Sequence, residues 1–191
     1  MKIEIYLVKS RILTYEGVLL KETYEYKKFR LDTKSYYSNK KNEKFDTVTN
    51  QLIYGGKYKI SENNLKSSPL IEDSEILFLC KDSSQIQLSN SGFRKLQNLN
   101  YKDDDGRQYV ITVNKKPVLN GYLMSRRYSS RVYSHNFLLF DEIVENEKPA
   151  ENHPLEIFCV NSYIDFSKKT KTDLNNYPLL INAFKKTDRL K

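Results

Sequence analysis

Short apolar runs, alternating or continuous, recur along this chain, and that recurrence confines it to a strand-rich fold. Ile3, Ile5 and Leu7 alternate with polar neighbours at the start. The runs Ile76–Cys80, Ile86–Leu88, Tyr109–Val113, Pro117–Met124, Phe137–Phe140 and Leu155–Val160 follow, rich in β-branched and aromatic residues. Such side chains pack well on a pleated, half-buried surface. Ile76–Cys80 is continuous enough to predict a strand buried on both faces. Asn114-Lys115-Lys116 reads as the turn between two of these strands.

Two segments depart from the strand pattern. Ser89 or Asn90 supplies a side-chain oxygen that caps free helical N–H groups, predicting a helix over about 90–99 with Phe93, Leu96 and Leu99 inward. Pro178, tolerated in a first turn, opens a second helix over about 178–190. Its apolar stripe is Leu179, Leu180, Ala183, Phe184 and Leu190, and Lys185, Lys186, Arg189 and Lys191 suit the negative end of its dipole. The expected fold is α+β: a strand-rich antiparallel or mixed sheet with two helices.

The N-terminal third is less regular. Arg11 to Leu31 offers two strand candidates around Gly17, the second carrying Tyr24, Tyr26, Phe29 and Leu31. Residues 33–44 lack periodicity and read as a mobile basic loop. Thr47 to Ile60 reads as a hairpin turning at Gly55-Gly56, whose missing side chains permit positive φ. Residues 61–68 are polar and mark a soft internal boundary in an otherwise single domain spanning 1–191. Glu145 to Pro154 reads as a polar loop.

The length of 191 residues suffices for a core without disulfide or metal staples. With 15 Tyr and 9 Phe the chain is too aromatic for a disordered one, and the tyrosines are expected at half-buried positions. The net charge of +8 favours acidic partners, whether protein, nucleic acid or anionic lipid. The plainer reading is that Lys and Asn are abundant throughout, as an AT-rich genome gives, and simply keep the chain in solution. No stretch is long and apolar enough to span a membrane, and Met1-Lys2-Ile3 does not open a signal peptide. The expectation is cytoplasmic; an exported or periplasmic protein trimmed of its leader would read the same way. Cys80 and Cys159 each end an apolar run and are expected as small buried hydrophobes, or as a disulfide between neighbouring strands in an exported protein.

Catalytic and metal patterns are missing from the sequence. Asp103, Asp104, Asp105 and Gly106 come nearest to a calcium loop, but Tyr101 falls on the first ligand position and Thr112 on the closing one. They read as a solvated turn. Two Cys and two His at scattered positions do not make a zinc site. No nucleophile elbow or phosphate loop occurs. Asp141 and Glu142, adjacent at a strand end, point to opposite faces. His135 and His153 read as ordinary surface residues. No metal and no cofactor is expected.

The most distinctive stretch is Ser125 to His135. Arg126, Arg127 and Arg131 carry planar forks suited to phosphate or carboxylate, and Tyr128 and Tyr133 carry rings that stack on planar groups. The rival reading is a charged edge or loop that guards against sheet-to-sheet aggregation.

From Pro69 onward the residue order resembles a known group. It runs Pro-Leu-Ile-x-x-Ser-Glu-Ile, Gln-Ile-Gln-Leu-Ser with a Gly-Phe-x-x-Leu helix, Gly106-x-x-Tyr-Val-Ile-Thr-Val-Asn, Pro-Val-x-x-Gly121-Tyr and Ser129-Ser130. It closes on Asp-Leu-Asn-Asn-x-Pro, Ala-Phe-Lys-Lys and Leu-Lys. This order resembles a group of small bacterial proteins of unassigned activity, often exported or lipid-anchored. The central strand–helix–hairpin is also distantly similar to the periplasmic domain of SecD, a translocation motor subunit. The resemblance covers roughly the last two-thirds of the chain. No lipid-attachment Cys is seen here, and Asp-Leu-Asn stands near 173 where the group has an Asp-Pro-Arg-like helix start. What the resemblance implies is a β-rich α+β binding module, with no catalytic residue to carry over.

The functional expectation is a non-enzymatic binding module for a protein with an acidic surface, recognised through Arg126, Arg127, Tyr128, Arg131 and Tyr133. Three alternatives stand beside it: a nucleic-acid binder using 125–135 and the basic 34–44 loop, a toxin-immunity or inhibitor protein, and a hydrolase using His135 with a serine.

Overall fold

The computed structural model describes residues 1–29, 44–48, 51–53, 56–99, 107–125, 136–140, 153–160 and 169–191. Its centre is a hairpin of β7 (Arg107–Val113) and β8 (Lys116–Ser125). Asn114 and Lys115 form the turn, both with positive φ, 51° and 67°. That is the mirror-image turn whose twist matches paired strands.

The hairpin organises a mixed sheet that has eight strands among the described residues. On one side β1 (Ile3–Leu7) pairs antiparallel with β7, Ile5 opposite Ile111. Asn114 extends this ladder: its amide donates to the Lys2 carbonyl, and its side-chain oxygen accepts from the Lys2 amide, each at 2.8 Å. On the other side β8 lies parallel to β9 (Asn136–Phe140). β9 pairs antiparallel with β10 (His153–Val160). β6 (Gln85–Leu88) and β11 (Lys169–Lys171) take successive stretches of β10, and β5 (Ile76–Cys80) pairs with β6 to end the row. A small separate sheet joins β2 (Val18–Leu19), β3 (Lys44–Asp46) and β4 (Gln51–Ile53).

Side-chain alternation divides the main sheet into two faces. Ile3, Ile5 and Leu7 of β1 join Tyr109, Ile111 and Val113 of β7, Leu119 and Leu123 of β8, and Leu155 and Ile157 of β10 in the larger core. Helix α2 (Asn90–Gln97) covers this face with Phe93 and Leu96, and helix α3 (Pro178–Lys186) with Leu180, Ala183 and Phe184. Full burial of such side chains contributes about 1.5–3 kcal/mol each. The opposite face packs Tyr6, Val8 and Val110 against Leu65, with Ile12 and Ile60 alongside.

The helices begin where the sequence places them. The Ser89 side chain accepts from the Gly92 amide at the start of α2, and Pro178 occupies the first turn of α3. α2 then sits close to a 3₁₀ turn at Asp73–Glu75, with Lys95 Nζ 2.8 Å from Glu75 Oε2. α3 ends earlier than 190. Asp188 takes a positive φ of 55°, the Arg189 amide donates back to the Phe184 carbonyl, and Leu190 instead bridges Leu79 in parallel.

Both margins of the main sheet are covered. Residues 64–71, which include part of the segment expected as a soft boundary, run along β1: Lys66 N donates to Leu7 O, Leu70 N to Ile5 O and Ile5 N to Ile71 O. Along β5, Leu79 N donates to Arg189 O, and Lys191 N to Leu79 O.

The α+β class holds, with corrections in detail. Tyr24 and Tyr26 belong not to a strand but to helix α1 (Tyr24–Phe29), because the Thr23 hydroxyl accepts from the Tyr26 amide and caps a helical turn. Within the 47–60 segment β4 pairs with the preceding β3, and the Asp46 carboxylate accepts from the Val48 amide where the chain leaves β3, while Gly55 of the expected Gly55-Gly56 turn lies outside the described residues. β5 is the last strand of its row, so Leu77 is 41% exposed and the run is not buried throughout. Leu179 is exposed rather than part of the α3 stripe. His153 and Pro154 lie in β10, not in a loop. Tyr58, Tyr109 and Tyr122 are fully buried rather than half-buried.

Candidate functional site

Arg126, Arg127, Tyr128, Arg131 and Tyr133, the residues singled out from sequence, lie outside the described residues, as do His135, Asp103–Gly106, Asp141-Glu142 and residues 33–43 of the basic loop. Among the described residues a concavity lies elsewhere, at the ends of β1 and β7. It is a recess of about 230 Å³ lined by Leu7, Val8, Lys9, Ser10, Arg11, Lys66, Arg107 and Gln108. Four of these side chains are cationic, and no carboxylate is among them.

Three separate segments build the recess, and backbone pairing fixes each. Where β1 ends, Val8 N donates to Gln108 O at 3.3 Å and Lys9 N to Asn64 O at 2.9 Å. Lys66 N donates to Leu7 O at 3.0 Å, which brings the Lys66 side chain to the same rim. Lys9 Nζ reaches the Asn63 carbonyl at 3.0 Å. Arg107 enters as the first residue of β7.

The wall behind Arg11 is a satisfied polar network. Gln108, only 4% exposed, accepts from Ile12 N at 2.7 Å and returns Nε2 to Ile12 O at 2.8 Å. This reciprocal amide pair pins the chain beside Arg11 onto β7. The Arg11 guanidinium lies 5.5 Å from the centroid of Tyr122. Tyr122 is itself held, since its hydroxyl donates to Gly56 O at 2.9 Å and its ring meets Tyr58 edge-on at 5.6 Å. A cation over an anchored ring in a recess is a donor fixed in place before any ligand arrives.

The sequence carried no motif for this site. Lys9, Arg11, Lys66 and Arg107 are neighbours only because β1 pairs with β7 across about a hundred residues of chain and residues 64–71 return along β1. The faint local signal is that Lys9-Ser10-Arg11 follows the apolar alternation of β1 directly.

His153 is not the surface residue its polar neighbours suggest. It is 4% exposed, its ring stacks on Phe93 at 4.1 Å, and Nε2 lies 2.7 Å from Asn90 Oδ1. Burial lowers its pKa below the usual imidazole value. Its described hydrogen bond goes to an amide oxygen, not to a serine or thiol, so the contact joins β10 to α2 rather than activating a nucleophile.

Cys80 and Cys159 are not joined in a disulfide and are partly rather than fully buried. β6 separates their strands, so they are not on neighbours. Hydrogen bonds from Ser83 hold the Cys80 thiol below its ordinary pKa. Among the described residues no group of three His, Cys, Asp or Glu side chains is placed to hold a metal ion, and no helix is long and apolar enough to cross a membrane.

The fold and recess together define a class by geometry: a strand-rich α+β scaffold that presents a small cationic recess at one end of its sheet. No family model, no curated protein and no solved structure matches the chain.

Proposed function

We propose that this protein is a non-enzymatic binding module that engages an acidic protein partner, one anionic group of which seats in the recess at the ends of β1 and β7. The observation that supports the reading is the lining itself: Lys9, Arg11, Lys66 and Arg107 are four of the eight described residues around about 230 Å³. That volume is below the roughly 300–1,000 Å³ of clefts that engulf a drug-sized ligand. A group carried on a larger partner suits it better than an enclosed small molecule.

The covered margins of the sheet favour the same mode. β1 is occupied by residues 64–71 and β5 by residues 189–191, so recognition by adding a main-chain strand has no open edge at either place. Side chains then make the contact. Arg126, Arg127, Tyr128, Arg131 and Tyr133 stay proposed as partner-binding residues on the strength of their chemistry alone, forks for anions and rings for planar groups.

The test is capture from nuclease-treated lysate with two baits, the native chain and a Lys9→Glu/Lys66→Glu variant, each at low and high salt. A protein held by the native bait and lost from the variant supports the reading. Equal retention by both removes the recess from the interface. Nucleic acid recovered only without nuclease, and released by salt, favours the nucleic-acid binder instead.

A further inference from the structure

β5 is the last strand of its row, and its sequence is Ile-Leu-Phe-Leu-Cys. Five apolar residues without charge, Pro or Gly make a strong strand and a hazardous edge. An outermost strand offers its main-chain N–H and C=O groups to any other strand, and edges are commonly blunted with Lys, Pro or a bulge. In β5 the register shifts between Ile76 and Phe78, but Phe78, Leu79 and Cys80 pair regularly with β6. Leu77 on the same strand is 41% exposed. The side chains of β5 therefore do nothing to deter a second strand.

The deterrent comes from another part of the chain. After α3, Asp188 takes a positive φ of 55° and the backbone turns along β5. Leu190 then lies parallel to Leu79. Leu79 N donates to Arg189 O, Lys191 N to Leu79 O and Lys81 N to Lys191 O, each at 2.8 Å. An added strand would need these same groups of Leu79 and Lys81. We infer that residues 189–191 are a guard strap, held shut by Arg189, that keeps the edge of β5 from pairing with β5 of a second copy of this chain. β5 and the recess lie at opposite ends of the strand order, so the acidic-partner reading has no part in this device.

A ladder of three residues is short, and side chains hold it in place. Arg189 Nη1 donates to Asp73 O and Ile76 O, both at 2.9 Å, Nη2 to Asp73 Oδ1 at 2.7 Å and Nε to Thr187 Oγ1 at 3.1 Å. Leu190 packs against the larger core. Lys191 Nζ stands 3.7 Å from the centroid of the Phe78 ring, a cation–π contact that also places on this edge the charge that β5 itself lacks.

The chemistry of β5 singles out a second copy as the strand kept away. Two copies of one edge strand related by a two-fold axis pair antiparallel, each offering the other the same surface. Like charges directly opposite one another would oppose such a pair, and Ile76–Cys80 contains none.

The experiment uses the full chain with its thiols kept reduced. Arg189→Ala removes the latch, and Lys191→Pro removes one strap donor while leaving Arg189 on Asp73. Each is made with and without Leu77→Lys, which puts a charge on the exposed edge. Sedimentation velocity over a range of concentrations reads association. Amide exchange at Leu79 and Lys81 reads release of the strap, and exchange in β7 and β8 reads the integrity of the fold. Both release variants are expected to exchange faster at Leu79 and Lys81, and to self-associate at least about tenfold more tightly than the native chain. Leu77→Lys is expected to return them to native behaviour. Where Arg189→Ala also loses protection in β7 and β8, Lys191→Pro decides. Faster exchange at Leu79 and Lys81 without any gain in association overturns the guard role. Unchanged exchange in Arg189→Ala overturns the latch. Association that persists with Leu77→Lys places the contact elsewhere and overturns the assignment of β5.

Discussion

The imidazole of His153 lies flat against the ring of Phe93, centroids 4.1 Å apart and planes 8° from parallel, so a β10 side chain is sandwiched onto helix α2. Its Nε2 meets Asn90 at 2.7 Å, and burial keeps the ring neutral to lower pH than in the unfolded chain. The unfolded state therefore binds the proton first, near pH 6.5, and folding stability falls as pH drops below that value until the folded ring also titrates. Urea unfolding in a His135→Gln background, which leaves His153 as the only imidazole, is expected to show a lower midpoint at pH 5.5 than at pH 7.5. His153→Asn should remove that difference. An unchanged pH dependence in the variant would refute the linkage.

Asp73 ties both ends of the described chain to one turn. Its carboxylate accepts from Ile3 N at 2.7 Å and from Arg189 Nη2 at 2.7 Å, while Arg189 Nη1 donates to the Asp73 and Ile76 carbonyls. Burial works against the charge, but the Arg189 hydrogen bond and the Ile3 amide prevail and hold the carboxyl below its usual range. This share of stability is present above about pH 4 and is lost as pH falls through the lower folded value. Asp73→Ala is expected to cost about 2–3 kcal/mol, since hydrogen bonds to a charged group are broken and the guanidinium loses its partner. Chemical denaturation of the two chains checks it; a cost under about 0.5 kcal/mol would mean that solvent replaces the carboxylate without loss.

Two buried tyrosines should respond in opposite ways to losing a hydroxyl. Tyr58 Oη lies 2.9 Å from the Tyr109 carbonyl and 2.7 Å from the Gly121 carbonyl, which face each other across the β7–β8 ladder. Tyr58→Phe is expected to cost about 1–2 kcal/mol. The Tyr109 hydroxyl is fully buried and has no hydrogen-bond partner among the described residues. Tyr109→Phe removes an unsatisfied group and should leave Tm unchanged or raised. Thermal unfolding of both variants decides this, and a marked fall for Tyr109→Phe would show that its hydroxyl is in use.

Gly17 is where the small sheet cannot accept a side chain. Its φ is +66°, and a Cβ there would stand 2.8 Å from the Phe45 carbonyl oxygen, next to the Val18–Phe45 pair. Gly17→Ala should cost at least about 1 kcal/mol locally. Amide exchange is the measurement: faster exchange in β2 and β3 with β7 and β8 unchanged is the expected pattern, and uniform protection would contradict it.

What the sequence made legible was local. β1, β6, β7, β8 and the start of α2 follow from alternation, β-branching and the Ser89 cap, each decided within a few residues. Tyr24 and Tyr26 misled because two apolar residues two apart fit a strand, whereas the Thr23 hydroxyl chose a helix. His153 misled because it follows a polar stretch, and its burial depends on Phe93, far away in sequence. The recess was illegible for the same reason: its cations come together only when β1, residues 64–71 and β7 are assembled. The residues expected from sequence to bind a partner, Arg126 through Tyr133, lie outside the described residues.

The pairing of β1 with β7 also sets a timetable for synthesis. Ile3–Leu7 leaves the ribosome about a hundred residues ahead of its ladder partner, which ends at Val113, and residues 64–71 are needed on its other margin. At about 5–20 residues per second, β1 waits roughly 5–20 s before its mate exists. Through that interval Ile3, Ile5 and Leu7 have no native strand to join. The hairpin of β7 and β8, contiguous in sequence, is free to form as soon as it emerges, and the earlier-made β1 then docks onto it. The nascent chain therefore needs a chaperone's cover over β1 through that interval.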